Sequence, residues 1–332
     1  MLHLLSKVYA GVVTLRNILY DKNILKSYGV DLPVISVGNV TAGGNAKTPL
    51  CIMIAEELKK RGYTPVILSR GYGGKMRGPH AICGTETPQQ VGDEALLMFR
   101  RANVPVVICR DRLKGAQYIK ERNLGQVVIL DDGFQHRRLR RSLNIVSIDV
   151  GSADAVEDFL QGKILPEGRF REPREKALRR ADLIVFASRR YYTSLPSLDP
   201  RLFKVIPQGL PIFRSYLKPE EVVSLKDGKS CLEKGGVVAF CAIAKPERFF
   251  DTLNDLGFSL LAKESFRDHY AFTSKNIEDL KKKYLGAKLV CTEKDGVKIL
   301  PQDADGIYIL KTTTKVQPED AFFVELLKKI EL

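Results

Sequence analysis

The chain of 332 residues is short of the features that mark metal-bound, disulfide-bonded and secreted modules. It has four histidines and six cysteines (Cys51, Cys83, Cys109, Cys231, Cys241 and Cys291), with no CxxC pair and no paired Cys/His spacing. That argues against a structural zinc site and reads as reduced, mostly buried thiols of a cytoplasmic protein. There is no low-complexity tract and no internal repeat, so disorder and solenoid architectures are set aside. RNP, helix-turn-helix and zinc-finger patterns are also missing. No apolar run is long enough to span a bilayer. Lys7 and Arg16 break the N-terminal one, and no small-residue cleavage pattern follows it.

Acidic residues are in deficit: 39 Asp and Glu against 53 Lys and Arg give a formal net charge of +14. Such a charge implies an anionic partner, and nucleic acid, an anionic membrane face and phosphorylated substrates all qualify. The first segment, MLHLLSKVYAGVVTLRNILYDK, places Leu5, Val8, Val12, Leu15 and Leu19 on one helical face and His3, Lys7, Thr14, Asn17 and Asp21 on another. Two readings stand open: a helix packed on the domain, or a helix lying in a membrane interface with Lys7, Arg16, Lys22 and Lys26 near lipid phosphates.

What the chain has in quantity is alternation. Short β-branched runs recur (PVISVG from Pro33, TPVILSRG from Thr64, VPVVIC from Val104, QVVILDDG from Gln126, LNIVSID from Leu143 and DLIVFAS from Asp182), separated by amphipathic stretches. Continuous apolar runs between helical segments predict a parallel sheet covered on both faces. The rhythm breaks near Leu210 to Ser224, an extended stretch with Pro211 and Pro219, and a smaller α/β unit follows with GVVAFCAI, FSLLAKESF and KLVCTEKD. The division is therefore 1–210 for a first domain with an N-terminal amphipathic helix, 211–224 for a linker strand and 225–306 for a smaller α/β domain. Residues 307–332 would supply a returning linker strand, IYILKTTTKV, and a last helix docked on the first domain.

The stretch TAGGNAKTPL, Thr41 to Leu50, follows the first strong strand and opens a helix, the context a phosphate-cradling loop requires. Gly43, Gly44, Asn45, Ala46, Lys47 and Thr48 would bind the nucleotide, Lys47 reaching the β- and γ-phosphates and the Thr48 hydroxyl reaching Mg²⁺. Ala46 stands where such loops usually have glycine; if φ is positive there, its methyl group costs about 1 to 2 kcal/mol. Further on, VVILDDG sets Asp131 and Asp132 at the C-terminal end of a strand, where ligands bind in open α/β sheets and a carboxylate can hold Mg²⁺. Loop and acidic strand end together favour a P-loop NTPase over a glycine turn and a helix cap.

VGNVTAGGNAKTP, SRGYGGK, VGDE, RDRLKG, DDGFQHRRL, REP, FRDHY and TEKDGVK occur in an order and spacing that resemble the tetraacyldisaccharide 4'-kinases of lipid A biosynthesis, from the N-terminal helix to at least Lys298. The resemblance implies an α/β protein with a P-loop NTPase-like, mostly parallel sheet and a second, smaller α/β domain joined by a two-stranded linker. It implies an ATP- and Mg²⁺-dependent enzyme that transfers a γ-phosphoryl group to the 4'-hydroxyl of an acylated glucosamine disaccharide 1-phosphate. The implied place is the cytoplasmic face of the bacterial inner membrane, peripheral or monotopic, in contact with anionic lipid and with no nucleic acid and no obligate protein partner. An acyl-chain anchored anion as substrate would explain both the basic charge and the first helix.

The resemblance also implies a base: an aspartate of the motif RDRLKG, here Asp111, paired with the histidine of FRDHY, here His269. Asp111 follows the strand VPVVIC and is equally placed to cap the helix after it. His136 suits either a base or a structural hydrogen bonder. In GRFREP, Glu172 is a candidate metal or water ligand and Arg171 a candidate phosphate clamp. Arg70, Tyr72, Asp93 and Glu94 flank element ends without a unique role, and Arg70 joins Arg171 and His136 as a candidate phosphate or substrate contact. The run Arg137, Arg138, Arg140, Arg141 reads as a solvated surface or as a holder of the 1-phosphate or membrane face. Two other classes compete: a P-loop enzyme of soluble substrates, and a nucleic-acid-binding ATPase supported by charge alone.

Overall fold

The protein is described from a computed structural model over residues 1–43, 46–188, 195–229 and 234–330. Among these residues one sheet holds twelve strands. They are β1 (Val34–Gly38), β2 (Pro65–Ser69), β3 (His80–Ala81), β4 (Val106–Ile108), β5 (Val127–Asp131), β6 (Leu143–Asp149), β7 (Leu183–Ser188), β8 (Ile212–Ser224), β9 (Gly236–Cys241), β10 (Ser259–Ser265), β11 (Lys288–Thr292) and β12 (Ile307–Gln317). Their order across the sheet is β10-β9-β11-β12-β8-β7-β6-β1-β5-β2-β4-β3.

The sheet is parallel except at β8/β12 and at the short edge pair β3/β4. Every residue of β1, β2, β5 and β7 is buried, as the continuous apolar runs require when helices cover both faces. The edge strand β10 instead alternates exposed and half-buried residues.

β8 enters beside β7 in parallel, Ile184 opposite Ile212 to Ser188 opposite Tyr216, and runs on antiparallel to β12. The linker strand is thus β8, Ile212–Ser224, paired with strands of both halves of the sheet. Its register with β12 slips between Leu310 and Thr312, where Pro219 faces Thr312, because proline brings no N–H to the ladder. After β12 the C-terminal helix Glu319–Leu327 sets Phe322, Phe323 and Leu326 into the same apolar cluster as Val37, Leu50 and Ile67 of the first lobe, the part built on β1 to β7, the second lobe being the part built on β9 to β11. Phe322 meets Phe213 edge-on at 5.2 Å. Cys51, Cys109, Cys241 and Cys291 are buried free thiols, Cys83 is an exposed one, and Cys231 lies outside the described residues.

The N-terminal helix α1 (Leu2–Asp21) packs the opposite way from an ordinary amphipathic helix. Its buried residues are polar, Ser6 and Asn17. Ser6 Oγ donates to the Ile164 carbonyl at 2.9 Å, Asn17 Nδ2 to Glu172 at 2.8 Å and Arg16 to the Gln135 carbonyl at 2.9 Å. Leu4, Leu5, Val8, Val12 and Leu15 are all at least half exposed. The helix is thus packed on the domain, but by its polar face through these hydrogen bonds, while the apolar face points outward.

Candidate active site

The site lies at the C-terminal ends of β1, β2 and β5, where loops leave an open parallel sheet. After β1 the chain passes through the glycine loop into α2 (Lys47–Lys60). Gly44 and Asn45 lie outside the described residues. Gly43 has φ +104°, and its carbonyl accepts from Asn39 Nδ2 at 3.3 Å. Ala46 is the N-cap of α2, buried, with φ +53° and its carbonyl accepting the Leu50 N–H.

The alanine is thus left-handed, and the strain sits in a backbone that already closes the first helical turn. Ala46→Gly is expected to raise folding stability by up to about 1 kcal/mol, the relieved strain being partly offset by glycine's freedom in the unfolded chain. The ATP KM is expected to move less than about threefold, since the strain belongs to the strand-loop-helix geometry. A tenfold fall in KM would show that the conformation is adopted only with the nucleotide.

Three carboxylates gather around this loop. Lys47 Nζ lies 3.3 Å from Asp132, which Arg171 Nη1 also contacts at 3.2 Å. Burial works against the Asp132 carboxylate, but Lys47 and Arg171 outweigh it and hold its pKa below the ordinary value. Asp131 is buried and accepts from Ser69 Oγ at 3.0 Å. Burial first, then the charges of Glu94 and Asp132, push it up to about 6. Thr48 Oγ1 donates to Glu94 Oε2 at 3.4 Å.

Among the described residues no group of three or more His, Cys, Asp or Glu forms a metal cage. Magnesium seldom needs one, taking one or two carboxylates with phosphates and water. The oxygen-only set of Thr48, Asp131 and Glu94 fits such an ion, and the raised pKa of Asp131 marks a place where a further cation would be stabilising.

Glu94 and its neighbour Asp93 open α4 (Asp93–Ala102), which follows the short α3 (Pro88–Val91) across Gly92. Gly92 has φ +91°, and a Cβ there would stand 2.4 Å from the Tyr72 carbonyl, so only glycine lets VGDE lie against SRGYGG. From the second lobe His269 reaches this point: its Nδ1 is 2.9 Å from Asp93 Oδ2. His269 is itself left-handed, φ +58°, held by N–H bonds to the Ala242 carbonyl and to Asp268 Oδ1. Tyr72 lies edge-on to its ring at 5.8 Å. The hydrogen bond that His269 donates to Asp93 raises the His269 pKa against burial, while Asp93 stays below the ordinary carboxylate value despite its burial because His269 and Lys294 stabilise its charge.

These positions correct two expectations. Asp111 is not the partner of His269: its Oδ1 caps α5 (Arg112–Glu121) by accepting from Leu113 N and Lys114 N, and its Oδ2 binds Arg138 at 2.7 Å. The aspartate that meets the histidine is Asp93, in a motif to which sequence reasoning assigned no role. Glu172 is not placed as a metal or water ligand. It is 1% exposed, both oxygens take Arg180 at 2.7 Å, and it receives Asn17 of α1. It anchors the first helix.

Arg171 does stand at the site, bound to Asp132 and to Gln135 at 3.2 Å. His136, following the DDG turn, is pushed down to about 4, by burial first and then by Arg112, so it is neutral at pH 7. Arg70, just past β2, is exposed.

A family model described as tetraacyldisaccharide-1-P 4'-kinase matches residues 1–331. The chain belongs to this family. The kinase is similar to a tetraacyldisaccharide 4'-kinase of Syntrophus aciditrophicus, 35% identical over 97% of this chain and 90% of the relative. It is also similar to one of Desulfotalea psychrophila, 37% identical over 89% of this chain and 86% of the relative. Among solved structures it resembles the "apo" form of LpxK from Aquifex aeolicus in complex with ATP, with a TM-score of 0.78 and 30% identity over 98% of this chain and 97% of that one. The kinase is thus an ATP-dependent enzyme of lipid A biosynthesis, with a lipid disaccharide as its substrate and the 4'-position as its point of attack.

Proposed function

We propose that Asp93, paired with His269, takes the proton of the acceptor's 4'-hydroxyl while Lys47 and Arg171 hold the transferring phosphoryl group, and that α1 rests in the lipid surface from which the acceptor comes. The observation that carries the first part is the 2.9 Å contact between His269 of the second lobe and Asp93 beside the phosphate loop. A base must lie within hydrogen-bond reach of the hydroxyl it serves and must be ionised, and Asp93 is both buried and held below the usual carboxylate pKa.

The oxygen of the hydroxyl forms the new bond to the γ-phosphorus as the bond to the β,γ-bridging oxygen breaks. The proton passes to the Asp93–His269 pair, and ADP leaves with the electron pair. Thr48, Asp131 and Glu94 would hold a Mg²⁺ ion bound with the nucleotide, which would supply neutralisation of the phosphate charge. Lys47 and Arg171 hold the transferring phosphoryl group, and Asp132 keeps both cations in place. A cleft of about 660 Å³ at the ends of β6 and β7, with Ser152, Phe186, Ser188, Leu198 and Arg214 among its walls, opens on the same sheet edge and suits the base and ribose.

The exposed stripe of α1 supports the membrane reading. Monomeric proteins seldom leave contiguous apolar side chains uncovered, and this stripe lies on a helix bonded to the site through Gln135, Arg171 and Glu172. No helix among the described residues is long and apolar enough to cross a membrane. Each stripe side chain contributes about 1.5 to 3 kcal/mol on full burial, so replacing Leu5, Val12 and Leu15 together by serine is expected to lower partition onto anionic phospholipid vesicles by about 100-fold or more even where burial is partial. Co-sedimentation with vesicles measures it, and unchanged partition would remove α1 as the membrane contact.

A further inference from the structure

A cation of the second lobe, Lys294, also reaches the carboxylates of the site. Lys294 Nζ donates to Glu94 Oε1 at 3.2 Å and lies 3.2 Å from His269 Nε2. Asp268 Oδ1 and Asp93 Oδ2 are 3.8 and 3.9 Å away. Glu94 Oε2 meanwhile takes the Thr48 hydroxyl of the phosphate loop. The two oxygens of one carboxylate thus connect the loop to a second-lobe lysine, and that lysine's next neighbour is the imidazole of the acceptor-side pair.

The backbone behind Lys294 is unusually well fixed for a four-residue helical turn, Glu293–Gly296. Thr292 Oγ1 caps it by accepting from Asp295 N at 3.1 Å. The fully buried Asp295 takes the Ala242 N–H and pairs with Lys298 at 2.7 Å, and Lys298 Nζ in turn donates to the Tyr270 carbonyl. The same inner bonds therefore fix the turn that carries His269 and the turn that carries Lys294. On the other side Glu293 meets Arg101 of α4 at 3.2 Å and receives the Thr312 N–H at 3.0 Å. A lysine offered only as a surface ion pair would not require this bracing, and its ammonium would not be surrounded by groups of the reaction.

We propose that Lys294 is a further catalytic residue, the second lobe's cation for the γ-phosphoryl group in transit, which leaves Glu94 for a phosphoryl oxygen as the nucleotide and its metal ion take that carboxylate. It rests on the assignment of Asp93 and His269 to the acceptor side. A lysine on a flexible stem serves as a movable point charge, and a charge matched to the transition state is stronger there than toward bound ADP.

The test compares equilibrium binding of ADP with that of ADP plus beryllium fluoride or aluminium fluoride, in Mg²⁺, for wild type, Lys294→Met, Lys294→Arg and Asp93→Asn, alongside kcat. Lys294→Met is expected to bind ADP within about threefold of wild type, to bind the fluoride complexes at least tenfold more weakly, and to lose about 100-fold in kcat. Lys294→Arg keeps the charge and is expected to retain most of both. Asp93→Asn is expected to lose turnover while binding the fluoride complexes normally, so a failed base assignment and a failed lysine assignment give different patterns. Fluoride-complex affinity unaltered in Lys294→Met, or lost equally in Lys294→Arg at wild-type melting temperature, would overturn the proposal.

Discussion

Asp93→Asn is expected to lower kcat by about 100- to 10,000-fold, the range that a positioned general base contributes. The substitution preserves shape and leaves an amide oxygen for the Glu94 N–H, which Asp93 Oδ1 accepts at 2.9 Å in the parent. What it removes is basicity and the charge that orients His269. Asp111→Ala, by contrast, is expected to cost about 1 kcal/mol of stability through loss of the α5 cap and to leave turnover largely intact. Steady-state rates and thermal melts of the two variants separate these outcomes. Full turnover by Asp93→Asn would sink the base assignment.

Lys47→Met is expected to lower kcat by about 100- to 1,000-fold, the loss found when one preorganised donor to a developing charge is removed, and to raise the ATP KM as well. Lys47 is at the first position of α2, where backbone N–H groups and the helix dipole already favour phosphate. The side chain adds a full charge, which Asp132 holds in a largely buried setting. Methionine keeps most of the stem's packing, so the effect reports on charge. Unaltered kcat and ATP KM would contradict the loop's role.

Local pattern carried much of the fold. Continuous apolar runs bounded by turn residues located β1, β2, β5, β6 and β7, because strands buried on both faces need apolar side chains on both. The two-residue β3 has no pattern to read; the pairing of β8 with β12 is expected of a two-stranded linker, but its joining both halves into one sheet depends on the parallel contact of β8 with β7, which local pattern does not show. In the site, the loop and the acidic end of β5 were legible since their chemistry lies within one strand-turn-helix unit.

The Asp93–His269 pair was not, because its members are 176 residues apart and meet only through the placing of the second lobe against α4. Asp111 misled for a physical reason: an aspartate just after a strand and just before a helix suits catalysis and capping equally, and only the bonds to Leu113 N and Lys114 N decide between them. Glu172 sits beside Arg171, which faces Asp132, yet its own side chain turns inward to Arg180. For α1, helical period identifies the apolar stripe but not the side on which the protein lies. Ser6 and Asn17, the residues that settle that question, are unremarkable in the sequence.

The most direct measurement is transfer of radiolabel from γ-labelled ATP to an acylated glucosamine disaccharide 1-phosphate in detergent micelles with Mg²⁺, the product's phosphorus spectrum being recorded in parallel. The account predicts label in the lipid fraction and one new phosphomonoester, at the 4'-oxygen. Label that stays in ATP, is released as free phosphate, or enters a water-soluble acceptor at an equal rate would contradict it.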